Sequence, residues 1–401
     1  MSSTSSAGAE APWCVFQIGA REHYAIARAI HSKGVRCNLF TDYWAANSGM
    51  LPVPAPLRQR THPAFKGIKV NSFNPRYLVF EAAQRARRHH SWQHIESRNA
   101  WFQKVACKAF ASYLEKCDSP PVVFAYSYAA LEILKLANSF GCKTILGQID
   151  PGPAEFSLVE ELHKRAGYPL PEQPSAHYWE SWRKECDIAD TIIVNSPWSK
   201  SALLEQGVAQ WKLEVVPLVY EAEKPHSSDD DSPRQPLKVL YLGQVILRKG
   251  ILELADAISA MKDRPVQWTI VGGGEPSLMD KLRDLPQTEV IGPVSRAEVV
   301  RFYQDADVFI LPTHSDGYAL TQLEAAAHGL PIIASKNCGE VVEPGVTGLV
   351  LEEISANGII TAVMELIEHP DKLNHYKQNT RVKERSKLES LGEKLVQIAA
   401  A

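Results

Sequence analysis

The sequence predicts an α/β protein built on parallel sheets and divided into two domains. Short apolar runs alternate with amphipathic helical segments along nearly the whole chain, a pattern typical of parallel sheets. A polar, proline-rich stretch without periodicity interrupts this alternation at 219–236, and we interpret it as a linker. The chain has 401 residues, so each half is long enough to bury its own core.

The predicted parts follow from composition and periodicity. Residues 1–12 are rich in Ser and Ala and lack an apolar run, so we expect a disordered tail and not a signal peptide. The first domain is expected at 13–218 and the second at 237–370, on either side of the linker at 219–236. The helical pattern at 371–401 predicts a C-terminal helix.

Strands are predicted at short runs of apolar, β-branched or aromatic residues, and helices at amphipathic spacing. The predicted strands of the first domain are Val15–Ile18, Arg36–Phe40, Ile68–Asn71, Val122–Ala125, Thr144–Gln148, Thr191–Val194 and Leu213–Val216. Its predicted helices are Glu22–Ser32, Arg76–His90, Ile95–Glu115, Leu131–Phe140 and Ser199–Glu205. The predicted strands of the second domain are Val239–Leu242, Gln267–Val271, Glu289–Ile291, Val308–Leu311, Ile332–Ala334 and Gly348–Leu351. Its predicted helices are Ile251–Met261, Ser277–Leu285, Arg296–Asp305 and 320–328, followed by a helical tail from Asn357 to Ala399 with a break at Pro370.

Charge and cysteine content argue against several classes of protein. The formal net charge of −3 disfavours nucleic acid as a partner held by bulk electrostatics. The seven cysteines form no CxxC pair and no zinc-finger spacing, which favours reduced thiols in a cytoplasm-like compartment. No apolar run approaches the length of a membrane span. We therefore expect a soluble, cytoplasmic protein, at most bound to a membrane surface.

The most informative segment is the loop and helix at 314–331. It reads His-Ser-Asp-Gly-Tyr-Ala-Leu-Thr-Gln-Leu-Glu-Ala-Ala-Ala-His-Gly-Leu-Pro and follows an apolar strand. Asp316 lies in the loop, and Glu324 lies one turn into a helix that begins near Leu320. Amides at a helix N-terminus favour an anion, and carboxylates accept hydrogen bonds from hydroxyls. The pattern therefore predicts a site for a sugar nucleotide.

A second candidate element follows the first strand of the second domain and reads Leu242-Gly-Gln-Val-Ile-Leu-Arg-Lys-Gly250. Its Arg248 and Lys249 are adjacent cations at a strand end, where they would neutralise the charge that grows on a leaving diphosphate. A solvated basic pair before a helix is the other interpretation.

The acid, seven residues, acid spacing in this context resembles the motif of family 4 retaining glycosyltransferases, whose GT-B architecture has two Rossmann-like domains facing a central cleft. The resemblance covers nearly the whole chain and is strongest from Leu237 to Leu351. It implies that the C-terminal helix at 371–401 crosses back onto the N-terminal domain. This chain has Asp316 where the family normally has Glu, and Gln244 where the family often has Arg.

The resemblance implies a role for each candidate residue. Asp316 and the amides of Gly317–Ala319 would hold the donor sugar, the amides of Leu320 and Thr321 the pyrophosphate, and Glu324 the ribose hydroxyls. The full donor-binding set is Gly19, Ala20, Gly243, Gln244, Gly272, Gly273, Ile291, Val294, Gly317, Tyr318, Ala319, Leu320 and Thr321. The residues assigned to catalysis are Arg248, Lys249, Asp316, Glu324 and Asp150. The acceptor-binding candidates are Arg21, His23 and Gln148, and Gln148 is also the alternative to Asp150 for facing the sugar.

We accordingly expect a retaining, metal-independent glycosyltransferase that moves a sugar from a nucleotide sugar to an acceptor hydroxyl by front-face displacement. The nucleotide sugar is a substrate, so the resemblance implies no cofactor. The acceptor is expected to be a sugar, a lipid or a small molecule. No motif identifies the nucleobase, the donor sugar or the acceptor.

Alternatives remain open for these segments. Thr321 and Glu324 also fit a capping box, with Thr as N-cap and Glu three residues later. The glycines at 272–274 are also typical of a strand-to-helix turn, and Asp150-Pro-Gly is ordinary turn chemistry. At the level of function, a phosphorylase or a sugar-phosphate synthase would use the same fold. The departures at Asp316 and Gln244 motivate a catalytically silent sugar-nucleotide-binding or scaffolding protein.

Three further features are interpreted without a catalytic role. Asp229-Asp230-Asp231 resembles a metal-holding DxD motif, but its place in the linker favours a solvated acidic run. The histidines at 89, 90 and 94 lack an evident third metal ligand. The basic segment at 85–108, with its interleaved aromatic residues, would suit an anionic membrane or an acidic acceptor, although a solvated face is favoured.

Overall fold

The structure is a computed structural model that describes residues 11–48, 53–54, 57–221 and 236–401. The strands of its first sheet are β1 (Trp13–Gln17), β2 (Cys37–Thr41), β3 (Lys69–Ser72), β4 (Val122–Tyr126), β5 (Thr144–Gly147), β6 (Thr191–Val194) and β7 (Leu213–Val215). The helices of this half are α1 (Ala25–Ser32), α2 (Asn74–Ala86), α3 (Ser91–Leu114), α4 (Leu131–Ser139), α5 (Pro153–Ala166), α6 (Ala176–Ile188) and α7 (Pro197–Glu205). The strands of the second sheet are β8 (Leu237–Leu242), β9 (Val266–Val271), β10 (Thr288–Gly292), β11 (Val308–Leu311), β12 (Ile332–Ser335) and β13 (Gly348–Leu351). The remaining helices are α8 (Ile251–Ala260), α9 (Pro276–Arg283), α10 (Arg296–Asp305), α11 (Leu320–Ala327), α12 (Ala356–Glu368), α13 (Pro370–Asn379) and α14 (Leu388–Ala400).

Both sheets are parallel, and both reverse their strand order once. The first has the order β3-β2-β1-β4-β5-β6-β7 and the second the order β10-β9-β8-β11-β12-β13. Every paired strand runs parallel to its neighbour. The order reverses between β1 and β4 in one sheet and between β8 and β11 in the other. The predicted α/β fold with two Rossmann-like sheets is therefore confirmed.

Central strands are buried on both faces, which explains their continuous apolar sequences. Every residue of β1, β4 and β11 is buried. Helices cover each sheet, so the two sheets have separate apolar cores. Each fully buried Leu, Ile or Val side chain contributes about 1.5–3 kcal/mol through removal of apolar surface from water.

The C-terminal helix α14 crosses back to the first sheet, as predicted. Its Leu391, Leu395 and Ile398 are buried in the same core cluster as α1. At Gly392 the two helices come so close that an added Cβ would lie 2.7 Å from the backbone oxygen of Ala29. The preceding helix α13 instead packs on the second core, so the prediction that all of 371–401 crosses back is wrong for α13.

One helix begins later than the sequence predicted, and two helices were not predicted. Helix α1 begins at Ala25 and not at Glu22, because Glu22, His23 and Tyr24 have positive φ angles of 49°, 50° and 61°. Helices α5 and α6 were not predicted. Pro153 occupies the first turn of α5, where a missing N–H has no cost, so the surrounding Pro and Gly residues mark a helix start as well as a turn.

Several other expectations concern composition and the ends of domains. All seven cysteines are free thiols. Within the described ranges, no helix is long and apolar enough to cross a membrane. The tail at 1–10 and most of the linker, 222–235 with its Asp229-Asp230-Asp231 run, lie outside the described residues, so the domain boundaries stay a prediction.

A buried carboxylate joins two helices of the first half. Glu185 on α6 is fully buried, and its Oε1 accepts hydrogen bonds from the amides of Ala130 at 2.8 Å and Leu131 at 3.1 Å. Its Oε2 accepts from the amide of Tyr128 at 2.7 Å. The carboxylate thus satisfies the free amides at the start of α4. Burial raises the pKa of Glu185 to about 7, although the three backbone donors oppose this shift.

We predict that Glu185→Gln destabilises the protein more at pH 5 than at pH 8. The folded-state pKa is raised, so the carboxyl contributes most to stability below its unfolded-state pKa, and the contribution falls as pH rises through about 7. We expect a loss of about 1–3 kcal/mol at pH 5 and a smaller loss at pH 8. Urea unfolding followed by tryptophan fluorescence measures both values.

Glu132→Gln is the matched control, because it neutralises a half-exposed carboxylate on the adjoining helix α4. We expect that variant to change the free energy of unfolding by less than about 0.5 kcal/mol at either pH. A larger loss for Glu185→Gln at pH 8 than at pH 5 would show that the amide donors outweigh burial.

Candidate functional site

The candidate site lies at the carboxyl end of the second sheet, where the strand order reverses. The loops after β8 and β11 meet there, because the backbone oxygen of Arg248 accepts from the amide of His314 at 2.8 Å and from the hydroxyl of Thr313 at 3.1 Å. In open parallel α/β sheets, ligands bind in the crevice at such a switch point. The two predicted candidate loops are thus brought together.

Lys249 and Asp316 form an ion pair between these loops. The Nζ of Lys249 contacts Oδ2 of Asp316, and the lysine is only 9% exposed. The amide of Asp316 donates to the backbone oxygen of Asn337 at 2.9 Å, which fixes the loop from the side of β12. The cation assigned to the leaving group and the acid assigned to the sugar are therefore direct neighbours where the loops after β8 and β11 meet.

Arg248 contacts the first half of the chain. Its Nη1 donates to the backbone oxygen of Ser315 at 2.5 Å and lies 3.3 Å from Oε2 of Glu155 on α5. The same Glu155 oxygen accepts from the Ser315 hydroxyl at 2.6 Å. Burial raises the pKa of Glu155, and the charge of Arg248 opposes the shift. Arg248 therefore joins the two halves of the chain.

The loop at 315–317 also faces the first half. The indole N–H of Trp198 donates to the Ser315 hydroxyl at 3.1 Å, and the Ser199 hydroxyl donates to the backbone oxygen of Gly317 at 3.4 Å. A Cβ at Gly317 would lie 2.8 Å from the backbone oxygen of Ile149. A glycine is therefore needed at this position for the loop to approach the Ile149–Asp150 segment.

The helix α11 begins without a side-chain cap. Ala319 is its N-cap, and no side-chain hydrogen bond caps the helix, so the capping-box interpretation of Thr321 and Glu324 is wrong. In the described part of the chain, the amides of Leu320 and Thr321 make no hydrogen bond. Free amides and the helix dipole make this end suitable for an anion.

One of the residues predicted to lend an amide to the donor sugar has that amide engaged elsewhere, and another has a buried side chain. The amide of Ala319 donates to the backbone oxygen of Cys338 at 3.2 Å. Tyr318 is buried, and its ring packs against Gly339, where an added Cβ would lie 2.6 Å from the ring. Among the predicted positions 317–319, the N–H of Ala319 is therefore already used in a hydrogen bond and is not available to a donor sugar.

Glu324 is held by a residue that the sequence prediction did not include. The hydroxyl of Tyr303 on α10 donates to Oε2 of Glu324 at 2.9 Å. Glu324 itself is half-buried, one turn into α11, on the same helix as the free amides. The predicted ribose-binding acid thus stands beside the predicted diphosphate site.

Close packing of the chain on itself accounts for the glycine run after β9. A Cβ at Gly272, which has φ of +139°, would lie 1.9 Å from the backbone oxygen of Gly243, and the amide of Val245 donates to Gly273 at 3.0 Å. The glycines therefore let this loop pack on the loop after β8. The side chain of Gln244 is exposed, and Ile291 and Val294 are half-buried. Contact of these residues with a donor stays a prediction.

The loop after β1 lies at the carboxyl end of the first sheet. The amide of Gly19 donates to Oδ1 of Asp42 at 2.9 Å, so that N–H is already engaged. Asp42 is fully buried and also accepts from Arg60 at 2.7 Å. Arg21 and His23 are exposed, and the guanidinium of Arg21 lies 5.4 Å from the centre of the Tyr126 ring.

Asp150 and Gln148 differ in how many of their side-chain atoms are already hydrogen-bonded within the protein. Oδ1 of Asp150 accepts from the Tyr128 hydroxyl at 2.5 Å and from the amide of Gly152 at 2.8 Å. Within the described residues Oδ2 makes no hydrogen bond. Gln148 is 2% exposed; its Oε1 accepts from Trp182 at 3.0 Å, and its Nε2 donates to the Asp150 backbone at 3.0 Å. Direct acceptor contact by Gln148 is therefore disfavoured, and it positions Asp150 instead.

Glu155, Trp198 and Tyr303 were missed because their roles depend on contacts between distant segments. Glu155 alone carried a local signal, since an acid in the first turn after Pro153 favours a helix N-terminus. Among the described residues, no group of three or more His, Cys, Asp or Glu side chains is placed to hold a metal. His94 pairs with Glu81 at 3.2 Å.

The comparisons with known proteins agree with this geometry. Residues 236–369 match the family model described as Glycosyl transferases group 1. A glycogen synthase from Mycobacterium tuberculosis is 28% identical over 144 residues, which are 34% of this chain and 35% of the relative. The amylovoran biosynthesis glycosyltransferase AmsK of Erwinia amylovora is 26% identical over 179 residues, 41% and 44% of the two chains. The chain thus spans less than half the length of these curated relatives.

Solved structures share the fold over almost the whole chain. Sucrose-phosphate synthase from Thermosynechococcus elongatus has a TM-score of 0.67 at 19% identity and covers 98% of both chains. Anabaena HepE in complex with UDP-glucose has a TM-score of 0.65 at 15% identity, covering 98% of this chain and 100% of HepE. Residues 236–369 are thus similar to the group 1 glycosyl transferases, and the shared architecture shows that the chain has the GT-B fold.

Proposed function

We propose that the protein is a retaining, metal-independent glycosyltransferase that transfers a sugar from a nucleotide-sugar donor to an acceptor hydroxyl. The observation that carries this proposal is the uncapped N-terminus of α11, where the free amides of Leu320 and Thr321 lie between Asp316 and Glu324. An anion-binding helix end with a hydroxyl-binding acid on either side fits a sugar joined to a nucleoside diphosphate. The match of residues 236–369 to the group 1 glycosyl transferases and the shared GT-B fold support the same activity.

In the proposed complex the diphosphate lies against the Leu320 and Thr321 amides. Glu324 accepts from the two ribose hydroxyls, and Asp316 accepts from hydroxyls of the transferred sugar. Lys249, now paired with Asp316, supplies the positive charge nearest to the leaving diphosphate. Arg248 supplies a second charge and is positioned by Ser315 and Glu155.

The proposed chemistry is a displacement on the front face of the donor sugar. The bond between the anomeric carbon and the β-phosphate oxygen breaks, and the acceptor oxygen bonds to that carbon on the same face. The acceptor proton passes to the departing β-phosphate, so no protein base is needed. Negative charge grows on the diphosphate as the bond breaks, and nearby cations and amides stabilise it.

The acceptor is proposed to bind on the first half of the chain, opposite the donor. Asp150 adjoins Gly317, and its Oδ2 is available to a sugar hydroxyl. Arg21 and His23 are exposed on the neighbouring loop after β1. A cytoplasmic location and peripheral membrane contact through 85–108 stay predictions.

A catalytically silent protein is the second candidate, favoured by Gln244, where the family often has a cation, and by the mutual neutralisation of Lys249 and Asp316. A measurement of turnover distinguishes the catalytically silent protein from the glycosyltransferase. Under the silent alternative we expect nucleotide-sugar binding without hydrolysis or transfer to any acceptor.

We predict that one nucleoside diphosphate raises the melting temperature of the protein. A ligand at 100 times its dissociation constant stabilises the folded state by about 2.7 kcal/mol, which we expect to raise the midpoint by a few degrees. Thermal unfolding with UDP, GDP and ADP identifies the base, and labelled sugar forms of that nucleotide then test hydrolysis and transfer. No shift with any of the three at millimolar concentration would contradict the proposed site.

We predict that Lys249→Ala lowers the transfer rate about 10²–10³-fold while donor affinity changes less. The reason is that charge on the diphosphate is greater in the transition state than in the bound donor. The measurement is kcat for transfer together with the dissociation constant of the nucleoside diphosphate.

Lys281→Ala is the matched control, since this exposed lysine on α9 pairs only with Asp256 in the described chain. We expect this variant to leave kcat for transfer and the dissociation constant of the nucleoside diphosphate unchanged. If Lys249→Ala transfers sugar at the wild-type rate, the leaving-group assignment fails.

A further inference from the structure

Tyr128, in the loop after β4, has a backbone conformation and a hydrogen bond that the activity proposed above does not explain. It is 7% exposed and has a positive φ of 72°, which is uncommon for a residue other than glycine. Its amide donates to Oε2 of Glu185 at 2.7 Å, so a buried carboxylate holds this conformation. Its hydroxyl donates to Oδ1 of Asp150 at 2.5 Å. Residues that their surroundings hold in such conformations cluster at functional sites.

A chain of buried hydrogen bonds determines the direction in which the Tyr128 hydroxyl donates. The indole N–H of Trp182 donates to Oε1 of Gln148 at 3.0 Å, and an indole has no acceptor. The other end of the Gln148 amide is therefore the NH₂ group, and its Nε2 donates to the Tyr128 hydroxyl oxygen at 3.2 Å. The same nitrogen lies 3.3 Å from Oδ1 of Asp150. Because the phenol accepts from Gln148, its single proton is given to Asp150.

The two oxygens of the Asp150 carboxylate have different surroundings. Oδ1 accepts from Tyr128 and, at 2.8 Å, from the amide of Gly152. In the part of the chain that the structure describes, Oδ2 accepts no hydrogen bond, and Asp150 is half-buried. The Cα of Asp150 would lie 3.4 Å from a Cβ placed on Gly317, the residue after Asp316. Asp150 thus lies beside the loop that is assigned to the donor sugar.

The geometry points to Tyr128 as a positioning residue that holds Asp150 so that Oδ2 accepts from a hydroxyl of the transferred sugar. This inference rests on the proposed function and assigns recognition of the donor sugar to both halves of the chain. Tyr128 does not touch the sugar and acts through Asp150. A carboxylate already held in one rotamer loses less freedom when the sugar binds.

The protonation of the phenol suits this role. Burial and the charge of Asp150 both raise the pKa of Tyr128 well above its usual value. The phenol therefore remains a hydrogen-bond donor throughout the physiological pH range.

A purely structural role predicts something different. In that case Asp150 only stabilises the Asp-Pro-Gly turn by accepting from the amide of Gly152, and Tyr128 only satisfies its buried hydroxyl. Tyr128→Phe would then change stability without changing the affinity for a sugar. The test must therefore compare ligands that differ only in the sugar.

The experiment is isothermal titration of the full chain, without acceptor, with UDP and UDP-glucose, GDP and GDP-mannose, and ADP and ADP-glucose. The measured quantity is the dissociation constant of the nucleotide sugar divided by that of its nucleoside diphosphate, for the base that the wild type prefers. We expect Tyr128→Phe to raise this ratio about three- to tenfold and to leave the dissociation constant of the nucleoside diphosphate within about twofold. Thermal unfolding of each variant shows that it is folded at the temperature of the titration.

Asp150→Asn is the second variant, because its amide oxygen still accepts from Tyr128 and Gly152 while an NH₂ group takes the place of Oδ2. We expect it to raise the ratio at least as much as Tyr128→Phe does. The double variant should show no larger ratio than Asp150→Asn alone, since Tyr128 acts only through this carboxylate.

Tyr43→Phe is the matched control, because Tyr43 is 1% exposed in the same half of the chain and its hydroxyl bonds to Ser48 at 2.7 Å. We expect it to retain the wild-type ratio. A wild-type ratio for Tyr128→Phe, with only a lower melting temperature, would overturn the positioning role while the proposed function stands. A wild type that binds neither nucleoside diphosphates nor nucleotide sugars would overturn the proposed function and the role of Tyr128 with it.

Discussion

Arg248 connects three parts of the molecule that lie far apart in sequence. Its backbone oxygen holds the start of the loop after β11, its guanidinium bonds to Ser315 in that loop, and it reaches Glu155 on the first half. Charge-assisted hydrogen bonds of this kind contribute about 1.5–3 kcal/mol each. Because Lys249 is the next residue, the position of the candidate catalytic cation depends on contacts between the two halves. A change in the separation of the two halves would therefore alter the candidate site directly.

The fold was predictable because buried parallel strands have continuous apolar sequences. The β11 run from Val308 to Leu311 has the same bounds in the sequence prediction and the structure. The sequence prediction of helix starts failed where the local residue pattern fitted more than one structure. Pro and Gly around 151–153 indicated a turn and concealed the start of α5, and three left-handed residues shortened α1. The backbone conformation of Glu22 is not visible in composition or periodicity.

The types of residue in the candidate site could be predicted from the sequence, but most of their interaction partners could not. Acids and cations at strand ends were recognisable because parallel strands bring their carboxyl ends to one edge. The partners were not recognisable, since Lys249 with Asp316 and Tyr303 with Glu324 meet only after the sheet has formed. The same limit applies to Ala319, whose amide bonds to Cys338 in the loop after β12.

The return of α14 to the first half affects how the chain can fold during synthesis. Leu391, Leu395 and Ile398 complete the apolar core around α1, although they follow the whole second sheet in the chain. Domains generally fold in order from the N-terminus as they emerge. Here the α1 surface stays uncovered until α14 has been synthesised, so the first half reaches its final packing after the second half has been made.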